Sequence, residues 1–314
     1  MVMLFSNRNI LYLLIICLLA IDGVGCVAQY RPQYSQYMFN GLAINPAYAG
    51  SQDALNIAAL YRSSQWGSSV VGAPVTQTFA GDFPLHNQQL ALGLMVFNDK
   101  INIIRNSGAY FSYAFRINAG AGKLSFGLQA GFDLQHEDHT KLILANPVPE
   151  DPMFSLENAY SMFMPNVGVG TYYYTPKFFV GISLPQLLKY SPQTAKSNDF
   201  KLTLANTMLY GGTIISAGKD FKIKPTTLLQ YAYTGFLWDV SCNFLLLKEI
   251  LELGLSWRNI GVLVAMAQIK INKVSIGYAY DYALGKPSAI NTTHEIMLRY
   301  DLNFKIKAIS PLHL

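Results

Sequence analysis

The chain has 314 residues, of which 51% are hydrophobic and 13% charged, with a formal net charge of +5 and a mean hydropathy of +0.23. Soluble domains carry about 25% charged residues, so a surface this poor in charge faces something other than water. The positive charges are few and dispersed, with no run of like sign, which excludes nucleic acid as a partner.

Residues 1–28 read as a secretory signal peptide. Arg8 supplies the leading charge, Ile10 to Ile21 the apolar stretch, and Cys26-Val27-Ala28 the small residues that place cleavage before Gln29. The alternative makes Cys26 a lipidated cysteine, although Gly23 then stands where a branched apolar residue is wanted. Cleavage before Gln29 removes Cys17 and Cys26 and leaves Cys242, so neither an intramolecular disulfide nor a cysteine metal site is expected. Beyond residue 28 no apolar run reaches the roughly 18 residues of a spanning helix. An exported chain of low charge with 20 Tyr and 18 Phe then has one membrane form, the closed β-barrel. In lipid every backbone polar group must be bonded internally, and an open sheet edge fails.

The next stretch, Tyr34 to Ser51, reads Y-S-Q-Y-M-F-N-G-L-A-I-N-P-A-Y-A-G-S. Apolar and polar residues do not alternate in it, and Gly41, Asn45-Pro46 and Gly50 punctuate it. Its large side chains, Tyr37, Met38, Phe39, Ile44 and Tyr48, must pack against something. One reading is a structured arm tucked under a domain; the other is a segment that plugs a barrel lumen.

From there on the chain alternates. In Ala109 to Asn118, Phe111, Tyr113, Phe115 and Ile117 oppose Ser112, Ala114, Arg116 and Asn118. In Lys123 to Asp133, Leu124, Phe126, Leu128, Ala130 and Phe132 oppose Ser125, Gly127, Gln129, Gly131 and Asp133. Leu251, Leu253, Leu255 and Trp257 oppose Glu252, Gly254, Ser256 and Arg258, and His294 to Phe304 alternates with Glu295, Met297, Arg299, Asp301 and Asn303. One face is apolar with aromatic ends, the other small or polar. A soluble β-sandwich alternates too, but its exterior wants charge, and here the second face is rich in Gly, Ala and Ser.

This pattern gives strands near 54–62, 74–82, 89–98, 108–117, 123–134, 165–174, 177–184, 203–217, 222–234, 236–246, 250–258, 260–270, 273–282 and 293–304. The expected fold class is therefore all-β: a transmembrane antiparallel outer-membrane β-barrel of about 14 strands, an even number as such barrels need. The connections 119–122, 175–176, 218–220 and 247–249 are short turns. Arg62–Pro74, Asn98–Ser107, Gln135–Met164, Pro185–Lys201 and Ala283–Thr292 are longer loops. Pro147, Pro149 and Pro152 predict irregular structure in the longest. The expected domain plan is a signal peptide over 1–28, a plug or periplasmic segment over 29–52, the barrel over 53–304 and a tail over 305–314.

The ordered motifs resemble those of one family. S-Q-Y-M-F-N followed by A-I-N-P-A-Y-A-G-S is similar to the N-terminal signature of the PorP/SprF family. Tyr61-Arg62 with Gln65-Trp66, Gly72-Ala73-Pro74 and Thr76-Gln77-Thr78 resembles its first hairpin, and Gly93-Leu94 with Asn98-Asp99-Lys100-Ile101 its next. Leu124 to Leu128, Pro165 to Gly170 with Tyr172-Tyr173-Tyr174, Phe179 to Pro185, Ile276 to Tyr282 and Thr293-His294-Glu295-Ile296-Met297-Leu298 continue the match in order. Gly41 stands where a proline is common, and the tail is longer than the family's. The resemblance implies an outer-membrane component of type IX secretion and gliding. It anchors periplasmic ring and peptidoglycan-associated lipoprotein partners, or displays a secreted surface adhesin, in a Gram-negative bacterium. The alternative for such a barrel is an outer-membrane solute channel or transporter.

On this reading Gln36, Tyr37, Met38, Phe39, Asn40, Asn45, Pro46 and Tyr48 are the candidate plug or partner-binding residues. Arg62, Arg116, Asp133, Arg258, Glu295, Arg299 and Asp301 are expected to face the lumen as a charged network bracing the wall. His136-Glu137-Asp138-His139 imitates a metal site but reads as a solvated loop cluster. His294 and Glu295 are adjacent in a strand and point to opposite faces, so they form no catalytic pair. His294 is expected at the membrane boundary. No phosphate loop, nucleophile elbow or pair of acids at glycosidase spacing is present, so neither an enzyme nor a cofactor or metal is expected.

Overall fold

Backbone hydrogen bonding in the computed structural model turns the alternation into a ring. The structure describes residues 34–64, 66, 70, 72–85, 89–138, 159–190, 200–232, 235–284 and 292–302. The signal peptide, Phe304 with the tail, His139 and the three prolines of the longest loop lie outside these residues.

In chain order the strands are β1 (Leu55–Ser63), β2 (Val75–Pro84), β3 (Leu90–Ile101), β4 (Ile104–Ala119), β5 (Gly122–Asp138), β6 (Ala159–Tyr174), β7 (Phe178–Leu184), β8 (Leu188–Tyr190) and β9 (Phe200–Leu202). They continue as β10 (Thr207–Thr213), β11 (Ile215–Ser216), β12 (Lys222–Ala232), β13 (Gly235–Leu246), β14 (Leu251–Arg258), β15 (Val262–Ile271), β16 (Val274–Ala283) and β17 (Thr292–Leu302). Strands β8 and β9 pair only with each other, and β11 only extends the pairing with β12. The other fourteen each bond to two antiparallel neighbours, and pairings β1–β17 and β10–β12 close the ring. Closure removes the sheet edge that lipid would leave unbonded.

Each expected strand is present. Side chains sort as the pattern requires: Leu128 is 61% exposed on the outside while its neighbour Gln129 is 4% exposed on the inside. Phe111, Phe126, Leu253, Leu255, Ile276 and Leu298 face out, and Ser112, Arg116, Ser256, Arg258 and Glu295 face in. His294 lies outside beside Trp66, Tyr278 and Tyr280, accepting or donating a 2.7 Å hydrogen bond with the Tyr278 hydroxyl.

Three loop expectations are corrected. Asn98–Ser107 is strand almost throughout, because Asn102 takes a left-handed conformation (φ 55°) that makes a tight turn with Ile103. Gln135–Met164 is strand at both ends, since β5 runs to Asp138 and β6 starts at Ala159. His136 therefore stands in β5, its Nδ1 2.9 Å from the Ser161 hydroxyl across the sheet. Pro185–Lys201 contains β8, which pairs with β9. The hairpin is pinned by Asn166, whose side chain accepts from the Leu187 and Leu188 amides and donates to Leu188 O.

The two ends of the ring differ. The β2–β3, β4–β5, β6–β7, β10–β12, β13–β14 and β15–β16 connections form the turn end, where β1 begins and β17 stops. The opposite, loop end carries the three longest connections, 64–74, 139–158 and the span around β8 and β9.

Candidate functional site

The segment between Tyr34 and Asp53 forms three single-turn 3₁₀ helices: Tyr37–Phe39, Gly41–Ala43 and Pro46–Tyr48. Local chemistry sets them. Pro46 opens the third with its φ already fixed, and the Asn45 side chain caps it by accepting from the Ala47 amide at 2.8 Å. Gly41 packs face-on against the Tyr48 ring, which a Cβ there would overlap. Residues 35–51 are buried, with Met38 alone partly so.

What buries them is the inner face of the ring. Glycines in the wall leave the space: a Cβ at Gly127 would overlap the backbone of Ala47, one at Gly170 the Asn45 amide, and one at Gly277 the Gln36 amide. Leu42, Ala43 and Ala49 pack with Ala91, Met95 and Ala114 from β3 and β4, while Tyr37, Ile44 and Tyr48 pack with Tyr172, Met208, Tyr210 and Leu228 from the far side. Met38 reaches Val264 and Met266 of β15.

Polar contacts fall in separate groups. Near the loop end the Glu295 carboxylate accepts from the Ser35 and Gln36 amides at 3.0 and 2.8 Å. Arg62 bridges this carboxylate (3.1 Å) to Asp281 (2.8 Å) and donates to the Ser35 hydroxyl, which itself donates to Asp281. Arg258 lies 3.7 Å from Asp281 and 3.2 Å from Asp239. Toward the turn end, the Gly50 amide donates to Asp82 at 2.7 Å, and Arg116 donates to Gly50 O and pairs with Asp53 at 2.9 Å. Arg299 pairs with Asp301 at 2.7 Å and donates to Asn56, with Phe39 O at 3.5 Å. On the far wall Asn45 donates to Thr171 O at 2.8 Å, and Ser183 donates to Ile44 O at 2.7 Å. The Tyr37 hydroxyl sits 3.4 and 3.5 Å from those of Ser241 and Thr226. Desolvation, and then the Asp239 carboxylate, push the Tyr37 phenol far above its ordinary range, so it stays neutral.

All seven expected lumen residues face inward, but they do not make one network. Arg62, Glu295 and Arg258 share a cluster; Arg116, Arg299 and Asp301 do not join it. Asp133 instead accepts from the Tyr110 hydroxyl and the Gln186 amide, both at 2.8 Å. Sequence reasoning missed Ser35, Asp53, Asp82, Asp239 and Asp281. For Asp281 the signal was available, since Tyr278, Tyr280 and Tyr282 alternate outward around it. Ser35 and Gly50 act through backbone or hydroxyl groups that carry no pattern.

The family described as "Type IX secretion system membrane protein PorP/SprF" matches residues 26–300. Among solved structures, the outer membrane protein Omp33 of Acinetobacter baumannii is similar at 9% identity, over 79% of this chain and 98% of that one, with a TM-score of 0.48. A FadL homologue of Pseudomonas aeruginosa is similar at 10% identity, over 87% and 95%, with a TM-score of 0.45. BamA of Haemophilus ducreyi lacking POTRA domains 1–3 is similar at 8% identity, over 79% and 70%, with a TM-score of 0.42. No curated protein matches.

Proposed function

This chain belongs to the PorP/SprF family of type IX secretion system membrane proteins, and from that premise we propose that it works by holding other proteins, as a non-enzymatic anchor in the outer membrane. The proteins held are periplasmic components of the machine, its ring and peptidoglycan-associated lipoproteins, or a secreted surface adhesin. The segment from Gln36 to Tyr48 is the plug that closes the lumen. The turn end faces the periplasm, as short turns do in outer-membrane barrels. One observation carries the reading: the inner wall has glycines at Gly127, Gly170 and Gly277 where the segment's backbone and amides come closest, so wall and segment fit as one body. A lumen filled this way suits a scaffold better than a conduit.

Deletion of Gln36–Gly50 tests it. The wall keeps its own hydrogen bonds, so the expected outcome is a heat-modifiable barrel in the outer membrane that no longer supports secretion or adhesin display. Normal secretion by that variant removes the segment from the mechanism. A large stable conductance of the intact protein in planar bilayers, unchanged when residues 29–50 are absent, would favour the solute channel instead.

A further inference from the structure

The turn end is lopsided in charge. Four connections that follow one another around the ring each project one exposed lysine: Lys177 between β6 and β7, Lys219 between β11 and β12, Lys248 between β13 and β14, and Lys273 between β15 and β16. None of the four forms an ion pair among the described residues. The carboxylates beside them are already taken: Lys222 holds Glu249 at 2.5 Å, Lys224 holds Glu252 at 2.6 Å and Arg299 holds Asp301 at 2.7 Å, which leaves Asp220. On the other side of the ring, connections 85–89 and 120–121 carry no lysine or arginine. There Asp53, at the entry to β1, is engaged by Arg116 and Lys123.

The eastern three connections of this arc, those carrying Lys219, Lys248 and Lys273, form one rim. Phe221 stacks on Phe244 at 6.2 Å, the Lys270 amide donates to Ile250 O at 2.8 Å, and the Asp301 amide donates to Lys273 O at 2.8 Å. In the middle, Leu247, Lys248 and Glu249 all take left-handed backbone conformations, with φ 52°, 58° and 68°. Residues with side chains avoid that region, so three in succession make a turn held by its surroundings. Lys222 holds Glu249 on one side and the Lys270 amide holds Ile250 O on the other. Lys248 is thereby presented between Leu247 and Ile250, which are 62% and 50% exposed.

We propose that this arc docks an acidic segment of a periplasmic protein, its carboxylates spread over roughly 30 Å to meet the four lysines in turn. Neighbouring turns stand two strands apart, about 10 Å at the usual strand spacing, so four lysines span three such steps. Charge complementarity selects the sign of the partner. The one-sidedness selects its kind: lipid surrounds a barrel on every side, whereas a protein docks on one. Leu247 and Ile250 add apolar contact among the charges, as interfaces do. The inference rests on the anchoring role, with the turn end in the periplasm, and names where on that face a partner is held and of which charge.

The test uses the full mature chain in phosphatidylcholine nanodiscs and two fluorescein-labelled peptides, four repeats of Glu-Gly-Ser and four of Lys-Gly-Ser, read by fluorescence polarisation. Charges three residues apart in an extended chain are about 10 Å apart, the step of the arc. At low salt the Glu peptide is expected to bind about tenfold or more tightly than the Lys peptide, and the gap should close near 1 M salt, where screening acts within about 3 Å. Lys219→Glu with Lys248→Glu should remove the preference. Lys100→Glu with Lys201→Glu, an equal change of charge at the loop end, should keep it. In cells the first pair should cut secretion or adhesin display by about tenfold while the barrel stays heat-modifiable, and Lys219→Arg with Lys248→Arg should behave as the parent. Equal binding of the two peptides, or a Glu preference that survives reversal of the arc, overturns the proposal. So does a loss of bound phosphatidylglycerol from the arc variant in native mass spectrometry with peptide binding unchanged, which assigns the lysines to lipid headgroups. The anchoring role is read separately. If the reversal is silent while deletion of Gln36–Gly50 stops secretion, the arc falls and the anchor stands; a large stable conductance of the intact protein in planar bilayers strikes the anchor whatever the peptides do.

Discussion

Two quarters of the lumen hold the same segment by opposite means. On β1, β16 and β17 the contact is ionic: Glu295 takes two consecutive backbone amides while Arg62 ties it to Asp281. On β6, β7 and β10 it is aromatic, with tyrosines and Phe179 packed on Tyr37 and Tyr48. The ionic quarter is directional. Two amides on one carboxylate fix the register of Ser35 and Gln36, and a slip of one residue would break both bonds. The aromatic quarter is less directional: ring packing dominates there, beside the Asn45 to Thr171 O and Ser183 to Ile44 O bonds, and it leaves a cavity beside the segment. The lumen thus fixes the segment's register mainly on one side and packs its rings on the other.

Breaking the ionic side should have the largest effect. Glu295→Ala leaves the Arg62 guanidinium and two amides facing an apolar stub inside the wall. Removing one partner of a buried pair costs about 3–5 kcal/mol when the other charge is left alone; Arg62 keeps Asp281 at 2.8 Å, so the loss should fall at the lower end of that range, about 3 kcal/mol. The folded-to-unfolded midpoint in urea, followed by heat-modifiability in detergent, should fall accordingly. A loss below about 1 kcal/mol, the scale of an exposed pair, would mean that water already screens this cluster.

The fit between wall and segment comes next. Gly127→Leu places a side chain where Ala47 now lies, and overpacking of this kind costs about 1–3 kcal/mol. The barrel should survive, because its ladder does not involve side chains. The segment should lift off, and chymotrypsin should then cut among Tyr34, Tyr37, Phe39 and Tyr48. Leu128→Val, one residue away but on the outer face, should leave the segment protected. Equal cleavage of both variants would show that the segment is held without help from β5.

Much of this was legible in the sequence, and the reason is periodicity. A residue in a closed wall has two environments that alternate strictly, so Leu255 and Ser256 declare their faces without any knowledge of their neighbours. The inward direction of Arg62, Arg116 and Glu295 followed from the same count. Which inward charges meet did not follow, because that depends on register around the ring. Arg62 and Glu295 are 233 residues apart and meet only because β1 pairs with β17. The segment itself was legible only as something that fails to alternate. Its three 3₁₀ turns, and the Gly41–Tyr48 contact, come from packing inside a lumen that no local pattern describes.

The smallest effect should come from Asn45, which serves both the segment and the wall. Its side-chain oxygen caps Ala47 and its amide donates to Thr171 O, with Ile182 O at 3.4 Å. Asn45→Ala removes the cap and the donor together and should cost about 1 kcal/mol, the usual value for a lost N-cap. Asn45→Asp separates the two roles. It keeps the acceptor for Ala47 but turns an acceptor toward two carbonyl oxygens, so it should destabilise more than Ala does. If Asp is instead as good as Asn, the cap alone fixes this turn. The aromatic quarter would then be a surface on which the segment merely rests, and the division of labour between the two quarters would be sharper than the hydrogen bonds imply.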